Sequence, residues 1–490
     1  MSKSTDSRSP STEVSGSGLA KVLGSWDALF VGFGAMIGFG WIVLTSGWLQ
    51  SAGTVGAMLA FAAGGVIMIF VGLVYSELVS AMPFAGGEHN YLLRGMGPRA
   101  AVFGSWAIAG GYVSVVMFEA VAIPQTVEYI IPDLAQIHLW TIAGSEVHLT
   151  WALVGSAAAL IIGWINIRGI RTASLVQTFV VSFLLIVGVL LIVGTAVGSE
   201  PANAQPLFTG GVPGMVTVLV AVPFLFVGFD VIPQSAEEVK VPPRRIGTLV
   251  VVSVLMAIAW YLLIIFTSSM AIPSADLANY ELVTADALAR LLGHEIWGTV
   301  VIAGGLAGII TSWNAFLIGA SRLMFSMARA RMIPLWFGKL HPKHRTPSNA
   351  VIFISALAFI SPFLGSGMLN WIVDAGSPAI IIAYFMVSIV FLILRRREPT
   401  MARPMRVGGR GNAGGTVIGV LSVILTALLL FIYIPVTPWS AQLGAPSWIM
   451  FGAWMLLGIY YLARLPRGIA PGEDAEQQLI AAVKAERGER

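Results

Sequence analysis

The chain has 490 residues, of which 57% are hydrophobic and 11% are charged, and its formal net charge is +4. An ordinary soluble domain carries about 25% charged residues, so this composition argues against a soluble protein and, outside the two ends, against disorder. The absence of cysteine excludes disulfides, thiolate nucleophiles and cysteine-ligated metal sites.

The first 20 residues are Ser-rich and polar and contain no apolar core. They lack the apolar segment of a cleavable signal peptide. We therefore predict that residues 1–25 form a disordered cytosolic tail.

Twelve apolar stretches follow, each near the length of about 20 residues that crosses a bilayer. They lie near 26–48, 54–81, 101–125, 149–168, 173–197, 213–236, 247–271, 297–326, 349–366, 370–393, 415–436 and 446–464. A connector at 273–296 has helical periodicity and is predicted to lie as an amphipathic helix on the membrane surface. The pattern predicts an all-α integral membrane protein with 12 transmembrane helices.

Lysines and arginines orient the predicted spans, because basic loops stay in the cytosol. With both chain ends inside, every basic residue except Arg290 falls on the cytosolic side. This sorting predicts a multi-pass protein of the plasma membrane with cytosolic N- and C-termini. It explains the basic charge through topology and attraction to anionic membrane lipid, so no nucleic-acid partner is expected.

Two spans carry helix-breaking residues. Glycines recur in residues 32–41 (GFGAMIGFGW), and a proline and a glycine interrupt residues 221–230 (AVPFLFVGFD). Paired interruptions in corresponding spans of two halves point to a transport site at the bilayer midplane. Unwinding frees N–H groups that attract a carboxylate and carbonyls that accept from an ammonium group. The alternative for a lone pair such as Gly34 and Gly38 is close helix packing, but the second interruption favours a break.

The interrupted spans predict a division of the chain into two five-helix halves. The predicted organisation after the tail is a first repeat at 26–197, a second repeat at 213–393, a basic cytosolic loop at 394–414, helices 11 and 12 at 415–464, and a cytosolic C-terminal tail at 465–490. Helices 11 and 12 lie outside the repeats and are a candidate homodimer interface.

Seven short motifs occur in order along almost the whole chain. They are MIGFGW (36–41), YSEL…MP…GG…Y (75–91), NIRGIRTASLVQ (166–177), GFDVIPQSAEEVKVPPR (228–244), ASRLMFSMARARMIP (320–334), TPSNA (346–350) and LRRREP…RPMRV (394–407). In these motifs the chain resembles the amino acid–polyamine–organocation permeases, which have the leucine-transporter-like fold. The resemblance implies a 5+5 inverted repeat with broken helices 1 and 6, plus helices 11–12.

The resemblance also implies a substrate site at the two breaks. Backbone N–H groups of the first break would bind a carboxylate, carbonyls of both breaks would bind an ammonium group, and aromatic rings would cover the solute. The implied substrate-binding residues are Met36, Gly38, Phe39, Gly40, Phe224, Val227, Gly228 and Phe316. For the rings of Phe39 and Phe224 the alternative is plain packing in the core or against lipid.

Two acids inside the spans are candidates for coupling. A carboxylate in a membrane is costly and is therefore a functional candidate. Asp230 directly follows the second break, where the alternative is capping of the following half-helix. Glu119 is a candidate for attracting a cationic substrate or carrying a proton, and its position suggests a depth outward of the central site. The alternative is a neutral carboxyl hydrogen-bonded within the bundle.

The coupling ion stays open at this stage. Some proton-coupled relatives carry a lysine in helix 5, where this chain has Phe183 and Leu184. Coupling to protons through Asp230 or Glu119 is expected, with a weak sodium site at Thr311 and Ser312, or exchange, as alternatives. Two hydroxyls on one helix equally suit interhelical hydrogen bonding.

Charged residues at the cytosolic helix ends are predicted to act as gating pairs. The acids are Glu77, Glu237 and Glu238, and the bases are Arg168, Arg322 and Arg329. Pairs of this kind that break when the inner gate opens form a two-state element. The alternative is a solvated basic rim.

These patterns together favour a secondary active transporter. The six histidines lie in loops or at helix ends and do not cluster, which argues against an enzyme, and internal halves argue against a channel. We expect import of an amino acid with a neutral or apolar side chain, coupled to protons and without a cofactor. An amine, polyamine or ethanolamine-type permease and an amino acid exchanger remain as alternatives.

Overall fold

The computed structural model describes residues 21, 23–280, 282–409, 411–434 and 443–487, with the backbone alone for residues 129 and 170–176. The predicted N-terminal tail, 1–25, lies almost entirely outside the described residues. Arg410 of the predicted basic loop and the last three residues of the predicted C-terminal tail also lie outside them.

The described part of the chain is almost entirely helical. Its helices are α1 Ser25–Met36, α2 Gly40–Val43, α3 Thr45–Ala81, α4 Glu88–Met96, α5 Pro98–Ile130, α6 Leu149–Arg168, α7 Ile170–Gly198, α8 Gly211–Phe226, α9 Val231–Gln234, α10 Pro243–Ala271, α11 Val283–Leu292, α12 Ile296–Arg329, α13 Ser348–Ile360, α14 Met368–Arg397, α15 Ala413–Ile432, α16 Ala445–Ala463 and α17 Ala475–Arg487. Five 3-10 turns join them, at Pro201–Ala204, Ala236–Glu238, Ser274–Asn279, Leu335–Gly338 and Ser361–Leu364. Two antiparallel strands, β1 His138–Ile142 and β2 Ser145–His148, form a hairpin between α5 and α6.

Eleven segments of the described residues are long and apolar enough to cross a membrane, with α1 and α2 forming one segment and α8 and α9 another. The protein is therefore an all-α integral membrane protein, as predicted. The difference from the predicted count lies at the ninth span. There α13 and a following 3-10 turn cover only Ser348–Leu364, which is shorter than the length of about 20 residues expected of a span. The twelfth crossing stays a prediction.

Both predicted breaks are present as interruptions of the helical backbone. The first break, defined as Ile37–Phe39, separates α1 from α2, and Ile37 has φ −115° and ψ 66°. The second break, defined as Val227–Asp230, separates α8 from α9. Gly228 has φ +133°, a region that side chains with a Cβ rarely adopt. An added Cβ there would also lie 2.6 Å from the Cβ of Ala35, so the two broken helices touch at this glycine.

Long helices surround the broken ones. α1 packs against α7, α10 and α12, while α8 packs against α3 and α14. Large apolar side chains on the outward faces of α6, α7, α15 and α16 are exposed, including Leu160, Ile186, Val417 and Leu456. Exposed apolar faces of this extent suit contact with lipid.

A short helix follows the second long helix of each predicted half. α4 follows α3, and α11 follows α10. The connector 273–296, predicted to be an amphipathic helix on the membrane surface, contains α11. Its apolar stripe packs against α7, α10 and α12 and buries Val283, Leu288 and Leu291. Its place at the membrane surface stays a prediction.

Two elements were not predicted. The hairpin of β1 and β2 turns at Ala143 and Gly144, which both have positive φ. The predicted C-terminal tail contains α17, which packs against α4 and α5 and buries Leu479 and Val483.

Candidate functional site

A cavity lies between the first break and the end of α8 that precedes the second break. The lining is mostly apolar with a few polar groups: Ala35, Met36, Gly38, Gly40, Val115, Phe118, Glu119, Phe224, Leu225, Tyr261, Ser312 and Phe316. Five of the eight predicted substrate-binding residues therefore face one cavity: Met36, Gly38, Gly40, Phe224 and Phe316.

The first break presents backbone groups outside a regular helix. The Phe39 N–H donates to the carboxyl group of Glu119, while the Phe39 carbonyl accepts from Ile42 at 2.9 Å. The first break packs closely against Gly308 of α12. A side chain at this position would not fit, because an added Cβ would lie 2.7 Å from the Ile37 carbonyl oxygen. The ring of Phe39 packs towards Gly305 of α12. The side chain therefore packs in the core, which was the alternative to a place in the substrate site.

The second break releases carbonyl groups. In a continuous helix the Gly228 N–H would donate to Phe224, but here it donates to Oδ1 of Asp230 at 2.9 Å. Val231 donates to the carbonyl of Gly228 at 3.1 Å rather than to that of Val227. The carbonyls of Phe224 and Val227 thus lose their usual helical donors. Val227 and Gly228 themselves are not among the cavity-lining residues.

Tyr261 of α10 connects the two broken helices, and no sequence pattern indicated this role. Its hydroxyl donates to the carbonyl oxygen of Met36 at 2.8 Å and lies 3.3 Å from that of Leu225. Its ring is stacked on Phe61 at a centroid distance of 5.1 Å. The Met36 carbonyl, predicted to accept from a substrate ammonium group, therefore already has one donor, although a carbonyl oxygen can accept a second.

Glu119 lines the cavity directly, so the prediction that it lies outward of the central site is wrong. Its side chain is buried, one carboxyl oxygen lies against the Cα of Gly38, and the Ser312 hydroxyl is its neighbour. The other oxygen, Oε2, has no hydrogen-bond partner among the described residues. The cavity thus contains a carboxyl group beside the backbone donors of the first break.

Asp230 does not cap α9, which corrects the capping alternative. Its Oδ1 accepts from Gly228 inside the break, and its Oδ2 accepts from the Tyr384 hydroxyl at 3.1 Å. The Tyr112 hydroxyl also reaches its carboxyl group. Asp230 therefore ties the second break to α5 and α14.

The rings of Phe224 and Phe316 frame the cavity. Phe224 meets Phe118 edge-on at a centroid distance of 5.4 Å, and Phe316 lies 5.4 Å from Tyr112. Phe224 also packs close to Gly376 of α14. Both rings contact α5, so a solute in the cavity would meet aromatic walls.

The predicted sodium ligands point in different directions. The Thr311 hydroxyl hydrogen-bonds to the carbonyls of Gly308 at 2.9 Å and Gly34 at 3.2 Å, which is the interhelical hydrogen bonding noted as the alternative. Ser312 faces Glu119 instead. Within the described residues no group of three or more acids and histidines is placed to hold a metal, and the sodium site stays a prediction.

Two of the predicted gating acids, Glu238 and Glu77, form buried ion pairs. Arg322 donates to Glu238 at 2.9 Å, which is one of the expected combinations. Glu77 does not meet the expected arginines. It accepts instead from Arg395 at 2.9 Å and from Arg403 at 3.1 Å, because the loop after α14 folds back onto the end of α3.

The other predicted gating residues lie near the surface. The guanidinium carbon of Arg168 lies 3.9 Å from the ring centroid of Trp164, and that of Arg329 lies 5.6 Å from the ring centroid of Phe325. Glu237 is half-buried near Glu476 in the first turn of α17, and burial together with the charge of Glu237 raises the pKa of Glu476.

The chain is similar to known transport proteins along most of its length. The family model described as amino acid permease matches residues 23–460. A branched-chain amino acid permease of Bacillus subtilis (strain 168) is 27% identical over 453 residues, which cover 91% of this chain and 93% of the relative. A methylthioribose transporter of the same organism is 25% identical, covering 91% and 93%, and its aspartate-proton symporter is 26% identical, covering 90% and 83%. These relatives are named for different solutes.

Proposed function

The chain belongs to the amino acid permease family, and from that premise we propose that it imports an amino acid with a neutral or apolar side chain by alternating access, coupled to protons. It is a multi-pass membrane protein and an amino acid transporter by family. Beyond the family, we propose the class of substrate side chain, the direction of transport and the coupling ion.

One observation carries the proposal: the first break and the end of α8 that leads into the second break line one cavity. The first break offers backbone N–H groups near Gly38 and Gly40, and the second offers the released carbonyl of Phe224. N–H groups at a helix start attract a carboxylate, and carbonyl oxygens accept from an ammonium group. The two charged groups of an amino acid match this arrangement.

The walls support an uncharged side chain. Phe118, Phe224, Phe316 and Val115 line the cavity beside the breaks. An apolar side chain gains by leaving water for such walls, at roughly 25 cal/mol per Å² of buried apolar area. A negatively charged side chain would lose its hydration there without a matched cation, because none of the lining residues is basic.

A second candidate is an amine, polyamine or ethanolamine-type permease, and Glu119 is the observation that favours it. Its carboxyl group accepts from the Phe39 N–H, the donor proposed for a substrate carboxylate. An ionised Glu119 would attract an ammonium group and repel a carboxylate.

The remaining elements of the proposal concern topology. We place the protein in the plasma membrane with both termini cytosolic, arranged as two inverted five-helix repeats. α4 and α11 follow corresponding long helices of the two halves, which supports that arrangement. We retain a homodimer through α15 and α16 as a proposal, because both helices expose large apolar side chains.

The test uses three solutes of one shape: leucine, 3-methylbutylamine without the carboxylate, and 4-methylpentanoate without the ammonium group. Purified protein in proteoliposomes should accumulate labelled leucine when the outside is acidic, and neither analogue should compete strongly. Equal competition by the amine would favour the second candidate. Uptake that needs internal amino acid and ignores the proton gradient would identify an exchanger.

A further inference from the structure

A second carboxyl group lies close to Asp230, and neither the sequence motifs nor the cavity uses it. Glu88, the first residue of α4, is fully buried. Its Oε1 accepts from the Tyr75 hydroxyl at 3.1 Å and from the Tyr112 hydroxyl at 3.4 Å. Its Oε2 contacts the side-chain amide of Gln234, the last residue of α9.

The Tyr112 hydroxyl lies between Glu88 and Asp230, because it also reaches the Asp230 carboxyl group. Tyr384 completes the surroundings through its bond to Asp230. We call this set the tyrosine cage: Tyr75, Glu88, Tyr112, Asp230, Gln234 and Tyr384. It joins α3, α4, α5 and α14 to the second break.

The charges within the cage do not balance if both acids are ionised. The groups that act most strongly on the Glu88 carboxyl are Asp230, Tyr75 and Tyr112, and Tyr91 and Tyr384 also face it. All are acids or neutral phenols.

Neighbouring basic groups do not supply the missing positive charge. His89 is buried and both its ring nitrogens are without a hydrogen-bond partner among the described residues. Burial lowers the pKa of His89 to about 4, so this ring is neutral. Arg322 of α12, which also packs against α4, is paired with Glu238.

Two adjacent carboxylates that are both fully buried, with no unpaired cation among the described side chains that face them, are strongly disfavoured, which favours a proton on one of them. Burial and the charge of Asp230 accordingly raise the pKa of Glu88. An unpaired oxygen of Gln234 supports a proton on Glu88 independently. Its Oε1 is buried and has no hydrogen-bond partner among the described residues.

Amide oxygen and nitrogen positions are interchangeable by rotation. Turning the amide would place Oε1 of Gln234 against Oε2 of Glu88, and a proton on Glu88 would then form the hydrogen bond. The cage therefore has an acceptor ready for a protonated carboxyl group.

The tyrosine cage also lies where the start of α4 contacts the end of α9. The N–H of Gly86, just before α4, donates to the carbonyl of Gln234 at 3.2 Å. We propose that Glu88 and Asp230 bind one shared proton that holds the inner gate closed, an inference that rests on the proposed transport by alternating access. When α4 and α9 separate, water reaches Glu88. The O–H bond of its carboxyl group breaks, the proton passes to water as hydronium, and a hydrated carboxylate remains.

The sign of the pH effect follows from proton binding. The closed gate binds one more proton than the open gate, so acid favours the closed gate and rising pH favours the open one. For a difference of one proton, the open-to-closed ratio rises up to tenfold per pH unit. This slope applies between the ordinary pKa of a hydrated glutamate and the raised pKa of Glu88 in the cage.

The absence of cysteine permits a direct test by thiol labelling. Ser235 follows Gln234, is 2% exposed and donates to the Val231 carbonyl at 2.9 Å. In a Ser235→Cys variant of the full chain, maleimide should label the thiol only when the gate opens. A Thr400→Cys variant in an exposed loop corrects for the pH dependence of the thiol itself.

The corrected labelling rate of Ser235→Cys should rise with pH, by up to tenfold per unit. Adding Glu88→Gln, an uncharged amide that mimics the protonated acid, should make the rate low and independent of pH. Glu88→Asp should retain a slope, and Asp374→Asn, which removes an acid of α14 outside the cage, should leave the slope unchanged.

A flat corrected rate in the Ser235→Cys protein, or an unchanged slope after Glu88→Gln, would overturn the proposal. If Glu88→Gln does not fold, the slopes of the parent and of Glu88→Asp decide the question. The labelling experiment requires no solute. If the proposed substrate is wrong, leucine uptake will be absent while the labelling rate of Ser235→Cys still rises with pH.

Discussion

The hydroxyl of Tyr261 offers the sharpest test of the cavity. Tyr261→Phe removes one oxygen and leaves the ring, which stacks on Phe61 at 5.1 Å. The oxygen lost is the donor to Met36 at 2.8 Å and the neighbour of the Leu225 carbonyl at 3.3 Å. The substitution therefore disconnects the two breaks without creating a large void.

The expected cost follows from the hydrogen bond. Leaving a buried acceptor without its partner costs about 1–3 kcal/mol. The Tyr261 hydroxyl also positions the Met36 carbonyl, which is proposed to bind the ammonium group of the substrate. The cost should therefore appear as about a 5- to 150-fold rise in the Kd of leucine. We therefore expect weaker leucine binding in Tyr261→Phe, with a KM for uptake raised more than kcat is lowered.

Tyr433 provides a matched control. It is also a buried tyrosine, and its hydroxyl donates to the Val220 carbonyl of α8 at 2.6 Å, away from the lining of the cavity. Tyr433→Phe should reduce thermal stability by a similar amount while leaving leucine affinity unchanged.

Isothermal titration of leucine into both variants, with thermal unfolding in the same detergent, separates the two effects. Equal Kd values for Tyr261→Phe and Tyr433→Phe would refute the assignment of Tyr261 to the site. Recovery of affinity at low temperature alone would likewise show a purely structural role.

Three further substitutions test other parts of the account. Gly38→Ala places a methyl group against Glu119 and should weaken leucine binding at least about tenfold, whereas Gly47→Ala, with no atom within 4 Å of its added carbon, should bind normally in the same titration. Glu119→Gln removes a group that can ionise in the cavity, so calorimetry at a pH that ionises Glu119 should show tighter leucine binding and weaker 3-methylbutylamine binding in the variant; changes in the same direction would contradict this reasoning. Arg322→Gln leaves Glu238 buried without its cation, at a cost of about 3–5 kcal/mol, and a double variant with Glu238→Gln should recover most of the lost thermal stability.

The architecture was largely predictable because hydropathy and charge act along the chain. Apolar runs of sufficient length predicted eleven of the membrane segments that the described residues contain. The α-helix of the ninth predicted span ends at Ile360, because a 3-10 turn that contains Pro362 and then Gly365, whose φ is +81°, follow it. The β-hairpin had a local signal, since Ala143 and Gly144 form a two-residue turn with positive φ.

The breaks were also predictable, because glycine and proline act locally. Residues contributed by other helices were not. Tyr261 belongs to α10 and Glu88 to α4, and no periodic pattern indicates that they meet the breaks in space. The depth of Glu119 was misjudged because α5 continues to Ile130, beyond the predicted end at residue 125. Glu119 therefore lies deeper than counting from the predicted end suggests.

A crystal structure with bound selenomethionine tests the central claim most directly. Its side chain is apolar, and its selenium gives an anomalous signal. The account predicts the carboxylate beside Gly38 and Gly40, the ammonium group near the carbonyls of Met36 and Phe224, and selenium among the aromatic walls. An amino acid bound elsewhere, or continuous helix through Ile37–Phe39 and Val227–Asp230, would contradict it.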